Sequence, residues 1–309
     1  MARVLCVGHA VEDHVFQVET LPTEGRKYQS KGFEIVGGGP AANAAVAIAR
    51  LGGDVRLAAR VGDDAIGQSI VADLCTEGVD CTHVKVFPGV SSSLSAVFID
   101  DRGERMIVNH RPADLPTDPS WLDAAFAQPV DAVLADVRWP EGAKASLDAA
   151  RERGIPGILD ADLPVPAGPS LVKAASHVAF SADGLVDFTG QNDLAEALLA
   201  ASSATNAWCC VTAGADGAFI AQGDRITPVP AYACDVVDTL GAGDIWHGAF
   251  ALALADGMPP EEAVAFGNAA AALKVSRAGG RKGAPYRAEL ETFTQSQDQS
   301  IRSERKARQ

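Results

Sequence analysis

The segment Asp238-Thr-Leu-Gly-Ala-Gly-Asp244 runs directly into the apolar stretch IWHGAFALALA. A small-residue turn placed before a helix can aim the N–H groups of Gly241, Ala242 and Gly243 at one anion, helped by the positive end of the helix dipole. Asp244 falls at the start of that helix, beside the anion hole. Its carboxylate can take a proton from an attacking hydroxyl as a phosphoryl group arrives in line. Alone, the same residues read more readily as an ordinary glycine turn with an acid stabilising a helix N-terminus.

A second segment, Gly37-Gly-Gly-Pro-Ala-Ala-Asn43 followed by AAVAIARLGG, narrows the choice. Its glycines, among them Gly38 and Gly39, allow close approach of backbone to a ligand, and Pro40 suits a first helical position. Asn43 then projects a donor and an acceptor from the first turn.

The elements that must position these motifs alternate. Apolar runs at Arg3–Val7, Val55–Val61, Ala132–Val137, Gly157–Asp160, Val178–Phe180 and Cys209–Thr212 are separated by helix-period segments at Ala41–Leu51, Ala65–Glu77, Ala143–Arg153 and Leu194–Ala201. This rhythm predicts an α/β fold: a mostly parallel central sheet with helices on both faces and ligands at the carboxyl ends of its strands. Val15–Val18, Gln29–Val36, Leu94–Ile99 and Arg105–Asn109 have no helix between partners, and the last two flank the turn DDRG. They predict a small β-sheet lid, from about 13–36 and 90–111, on a domain spanning 1–294. Residues 295–309 read as a polar, disordered tail.

Composition excludes other classes. A net charge of −14 speaks against a nucleic-acid partner, and no stretch reaches the length of a membrane span or a signal-peptide core, so a cytoplasmic protein is expected. The six cysteines (Cys6, Cys75, Cys81, Cys209, Cys210, Cys234) form no CxxC pair and read as free buried thiols.

Together, in this order and at this separation, GGGPAANAAVAIARLG and DTLGAGDIWHGAF resemble the two signatures of the PfkB (ribokinase-like) family of carbohydrate kinases, over roughly Arg3 to Gly283. The resemblance implies a three-layer α/β/α sandwich with a lid, ATP and Mg²⁺ as co-substrates, Asp244 as general base and the 241–243 amides as anion hole. It further implies sugar contacts from Asp13, Gly38, Gly39 and Asn43. Nucleotide contacts are implied for Thr212, Gly214 and Gly217 in VTAGADG, and for Asn268 in FGNAAAAL. Where many members carry a Glu that organises Mg²⁺ before a Thr-Gly pair, this chain has Gly184 ahead of Thr189-Gly190, so its metal ligands are unknown; Asp183 is a substitute.

The strings GRKYQSKGF, GERMIVNHRPADL and LADVRWPEGAK resemble the members of that family that phosphorylate 6-deoxy-6-sulfofructose in sulfoquinovose breakdown. This implies a sulfonate receptor made by Lys27, Asn109 and Arg138, to which His110 and Arg111 can add donors. Kinases for phosphorylated or neutral ketohexoses, for 2-keto-3-deoxy acids or for nucleosides, and an inactive sugar- or nucleotide-binding regulator, are the alternatives. A homodimer through the lid strands is expected.

Overall fold

The run Arg3-Val-Leu-Cys-Val-Gly8 is apolar without alternation, which suits a strand covered on both faces. In the computed structural model, which describes residues 1–165 and 170–307 and side chains as far as 297, it is strand β1, Arg3–Gly8, buried beyond its first residue. It pairs in parallel with β4 (Asp54–Gly62) on one side and β8 (Ala132–Asp136) on the other.

The remaining strands of the main sheet are β5 (Asp80–Phe87), β9 (Gly157–Ala161), β10 (His177–Ser181), β11 (Trp208–Thr212), β12 (Ala218–Gln222) and β13 (Arg225–Val229). Their order is β13-β12-β11-β10-β9-β8-β1-β4-β5. Only the β12 and β13 pairings are antiparallel. The chain leaves β1 toward β4 and later returns on its other side at β8, so the strand order reverses between β1 and β8. Ligands of open α/β sheets bind at such a reversal, outside the carboxyl ends of the strands.

Helices α1 (Pro40–Arg50), α6 (Ala242–Ala255) and α7 (Pro260–Val275) belong to one apolar core, and α3 (Pro140–Arg153) and α5 (Leu194–Thr205) to the other. Two further helices, α2 (Ala65–Thr76) and α4 (Ala182–Thr189), complete the layers. Small side chains let α1 and α6 meet at backbone distance: a Cβ on Gly248 would lie 2.5 Å from the carbonyl oxygen of Ala44. The expected α/β architecture is therefore observed.

The four strands expected to stand apart do so. β2 (Val11–Gln17), β3 (Gly32–Gly38), β6 (Leu94–Ile99) and β7 (Arg105–His110) form a separate sheet in the order β3-β2-β6-β7. Because side chains alternate, Asp13, Ser95 and Asn109 stand in register on one face, while Phe16, Phe33 and Phe98 share the other.

Two expectations are corrected. The polar end of the chain continues as helix α8, Arg287–Ala307, rather than as an unstructured tail. Its first turns are anchored by buried Leu290 and by Phe293, whose ring lies 5.6 Å from that of Tyr232, and no Gly or Pro follows to stop it. All six cysteines are free as expected, but Cys75 on α2 is exposed.

Candidate functional site

β3 ends in the three glycines, and each sits where a side chain could not. A Cβ on Gly37 would overlap the Arg281 guanidinium, one on Gly38 would lie 2.1 Å from the Asp13 carboxylate, and one on Gly39 would lie 2.4 Å from the carbonyl oxygen of His9. Gly39 also holds φ 94° as the residue before α1, in the region that favours glycine. The motif thus brings Asp13, Arg281 and the end of β1 against the start of α1. Arg281 is buried, pairs with Asp73, and has an Nη1 without a hydrogen-bond partner among the described residues.

Asn43, in the first turn of α1, donates Nδ2–H to Asp244 Oδ2 at 2.7 Å, joining the two motifs across the chain. Its Oδ1 is buried with no partner among the described residues, an acceptor available to a ligand hydroxyl. Burial pushes the Asp244 carboxyl up to about 7, the charge of Asp160 adds to this, and the Asn43 hydrogen bond opposes it. Asp244 is therefore poised to exchange a proton near neutral pH.

The turn before α6 is held from behind. Gly241 adopts φ 75°, ψ 8°, and Ala242 N–H donates to Thr239 O at 3.2 Å. The expected three-amide anion hole is corrected accordingly, because the tight turn consumes the Ala242 donor. The amides of Gly241, Gly243 and Asp244 have no acceptor among the described residues. Buried His247 faces the Gly243 carbonyl with Nδ1 at 2.8 Å and the Ala179 carbonyl with Nε2 at 3.3 Å. Its Nε2 also lies 3.5 Å from Asp160 Oδ1, an oxygen with no hydrogen-bond partner among the described residues.

On one side of this turn lies a cavity of about 480 Å³ whose wall includes Thr212, Gly214, Gly217, Ala242, Gly243 and Asn268. All four residues expected at a nucleotide thus line one space, contiguous with the anion hole. Asn268 also has a structural part beside its place in that wall. Its Nδ2 donates to the carbonyls of Val229 and Pro230, both at 3.0 Å, and its Oδ1 accepts from Trp246 Nε1 at 2.8 Å. It ties β13 and the following segment to α6 and α7, with only a second Oδ1 lone pair to offer a base.

On the other side, at the β1/β8 reversal, stands Asp136, which lies inside the string LADVRWPEGAK but has no role assigned from the sequence. Its buried carboxylate accepts N–H bonds from His9 (2.8 Å), Ala41 (3.0 Å) and Arg138 (2.8 Å), fastening the ends of β1 and β8 to the start of α1. Its place at the carboxyl end of the apolar strand AVLAD is the signal that could have found it. Arg138 extends to Asp162 Oδ2 at 3.0 Å. Burial, with Arg111, Arg138 and Arg60 nearby, pulls His9 down to about 3, so the imidazole is neutral amid cations. Arg111 is likewise lowered, first by burial and then by Arg138. Cationic side chains crowd together here on an acidic protein.

The lid brings Asp13 and Asn109 to one row: Ser95, between them, donates Oγ–H to Asn109 Oδ1 at 2.8 Å. Burial raises the pKa of Asp13, against the charge of Arg281. Lys27 lies in the exposed loop between β2 and β3 and makes no ion pair with the residues of this row.

The described residues gather no set of three or more His, Cys, Asp and Glu side chains that could hold a metal. A Cβ on Gly184 would lie 2.2 Å from the Ala161 carbonyl oxygen, so this backbone has no room for a Glu at that position, and Asp183 is exposed on α4. A magnesium ion would be held mainly by ATP phosphates and water, in keeping with its slow dehydration.

A mostly parallel sheet, a lid, an amide-lined turn with an acid beside it and a second glycine motif at the strand reversal define a phosphoryl-transfer site. The profile of the pfkB family carbohydrate kinase matches residues 1–287. The chain belongs to that family. As a pfkB kinase it is 30% identical to a ribokinase of Bacillus subtilis, covering 94% of this chain and 99% of the relative. It is also 30% identical to an ATP-dependent ribose-1-phosphate kinase of Halopiger xanaduensis, covering 91% and 94%. Among solved structures, a provisional ribokinase from Agrobacterium tumefaciens superposes with a TM-score of 0.88 at 38% identity, covering 97% of this pfkB chain and 99% of its own.

Proposed function

We propose that this pfkB kinase transfers the γ-phosphoryl group of ATP to a hydroxyl of a sugar that itself carries a negative charge, 6-deoxy-6-sulfofructose best fitting the residues. The observation that carries the reading is the cationic end of the sugar cleft. Arg138 is held at the strand reversal by Asp136 and Asp162, with Arg111 beside it and Asn109 on the lid row. A neutral pentose would bring this cluster of guanidinium groups no anion beyond the Asp162 that Arg138 already holds. A sulfonate bears one charge, which the existing Arg138–Asp162 pair can exchange for without a large excess of cations.

In this reading Asp13 and the free Asn43 Oδ1 orient the sugar hydroxyls, and Asp244 removes the proton of the attacking one. The Gly241 and Gly243 amides hold the transferring group, and the 480 Å³ cavity takes the rest of ATP. Magnesium bound to the ATP phosphates supplies charge neutralisation. The reaction belongs to the cytoplasm, where ATP is supplied.

The ribokinase and ribose-1-phosphate kinase relatives favour a second reading, with ribose or ribose 1-phosphate as acceptor. ADP release across 6-deoxy-6-sulfofructose, fructose 6-phosphate, tagatose 6-phosphate, fructose, ribose, ribose 1-phosphate, a nucleoside and a 2-keto-3-deoxy acid decides between them. The highest kcat/KM on a neutral sugar would overturn the anionic reading. Arg138→Ala should raise KM for the anionic sugar by about 10- to 100-fold, the worth of a charged hydrogen bond, and leave KM for ATP within about twofold. Equal loss for both substrates would remove Arg138 from the anion receptor.

The outer face of the lid supports a homodimer. Phe33 (53% exposed), Ile35 (47%) and Val108 (57%) lie around the stacked Phe16 and Phe98 rings, and β3 and β7 are open edges. Sedimentation of Phe33→Asp/Val108→Asp should show monomers at concentrations where the parent chain is dimeric. A monomeric parent would refute the assembly.

A further inference from the structure

A charged side chain with no part in the phosphoryl-transfer scheme is among the largest fully buried ones. Lys274, in the last turn of α7, is 0% exposed. Its Nζ lies 2.7 Å from the backbone carbonyl oxygen of Asp238 and 3.0 Å from Asp238 Oδ2. Lys is seldom fully buried unless paired, and here the whole pairing falls on the first residue of DTLGAGD.

Asp238 in turn organises the turn that begins with it. Its Oδ1 accepts from Leu240 N–H at 2.8 Å and its Oδ2 from Gly280 N–H at 2.8 Å. The amides of Val237 and Asp238 both donate to Val275 O, at 2.7 and 3.0 Å. The stretch of chain from Val236 to Thr239 separates the 480 Å³ cavity from a smaller one of about 290 Å³ beneath the lid, edged by Glu34, Arg105 and Gly279. The turn carrying the anion hole is thus fastened at one point, through one carboxylate, to α7, to the 279–280 loop and to its own next residues.

We propose that Lys274 is a positioning residue, an internal cation that fixes the Asp238–Gly241 turn and with it the Gly241 and Gly243 amides on which phosphoryl transfer depends. The idea rests on the kinase reading of those amides. Without the ammonium, the Asp238 carbonyl and carboxylate would face each other across a buried space, and the turn would relax away from α7. Burial lowers the Lys274 pKa, and the hydrogen bond and charge of Asp238 oppose it, as expected of a cation held by its partner rather than by water. Lys274 reaches no ligand cavity and is not a catalytic residue.

Deleting the side chain leaves a hole shaped for an ammonium group and lined by oxygen. Lys274→Ala should lower kcat by about 10²-fold, the scale of an ångström-sized misplacement of catalytic groups, with KM for the sugar within about twofold. Ammonium chloride should restore at least about tenfold of that loss, choline chloride at equal ionic strength should not, and the parent enzyme should respond to neither. Ammonium should also raise the Tm of Lys274→Ala with no sugar present, a readout independent of which sugar is the substrate. Should Lys274→Ala fail to fold, Lys274→Met/Asp238→Asn, which removes both charges and avoids an unpaired one, carries the kinetic comparison. Full kcat in either variant, restoration by choline, or a proportional loss of sugar affinity and kcat would overturn the proposal. A parent enzyme that phosphorylates no sugar, beside an ammonium-dependent Tm in Lys274→Ala, would sink the kinase reading and leave the internal cation standing.

Discussion

Replacing Asp244 by Asn is expected to lower kcat by about 10²- to 10⁴-fold, the contribution of a positioned general base. Asn fills the same volume and its Oδ1 can still accept the Nδ2–H of Asn43, so the fold and KM for ATP should be retained. The pH profile gives a second handle on the same carboxyl. Burial disfavours its charged form and moves it from 3.8 to about 7, and only the ionised form can accept a proton. Hence kcat/KM should rise about tenfold per pH unit below 7 and level off above it. Asn43→Ala removes the hydrogen bond that lowers this pKa, so the inflection should move to higher pH. A flat profile between about pH 5.5 and 8, or full turnover by Asp244→Asn, would take the base role from this residue.

The parts of the site visible in the sequence are those fixed by local chemistry. A glycine turn before an apolar helix is compatible with an anion site, and the second glycine motif narrows the choice to it. The alternation of Val15–Val18 and Leu94–Ile99 sets which face of the lid carries Asp13 and Ser95. What the sequence hid depends on partners far along the chain. Asp136 gains its role from amides 95 and 127 positions away. Asn268 looked free for a ligand because Trp246, which engages it, lies 22 residues earlier on another helix. Nothing in ALKVSR reveals that Asp238 folds back over Lys274. Lys27 shows the reverse case: the sequence suggested an anion contact for it, while the structure leaves it in an exposed loop.

Gly241→Ala should cost far more activity than stability, and its effect can be divided by design. The residue holds φ 75°, which costs a side chain about 1–2 kcal/mol, and a Cβ there would lie 3.3 Å from Asn43 Nδ2 and 3.7 Å from Asp244 Oδ2. The methyl would therefore sit against the hydrogen-bonded Asn43–Asp244 pair, crowding the approach of a hydroxyl that must come within about 2.6–3.2 Å of the base. Loss of kcat/KM by about 10²- to 10³-fold, the scale of a lost oxyanion donor, is expected alongside a Tm decrease of only a few degrees. Gly257, just past the end of α6, has φ 82° and nothing within 4 Å of its Cβ position. Gly257→Ala carries the same backbone strain at a surface turn, so it should lose a similar Tm and no activity. Matching activity losses in the two variants would mean that strain in α6, rather than crowding of the reacting hydroxyl, accounts for the glycine at 241.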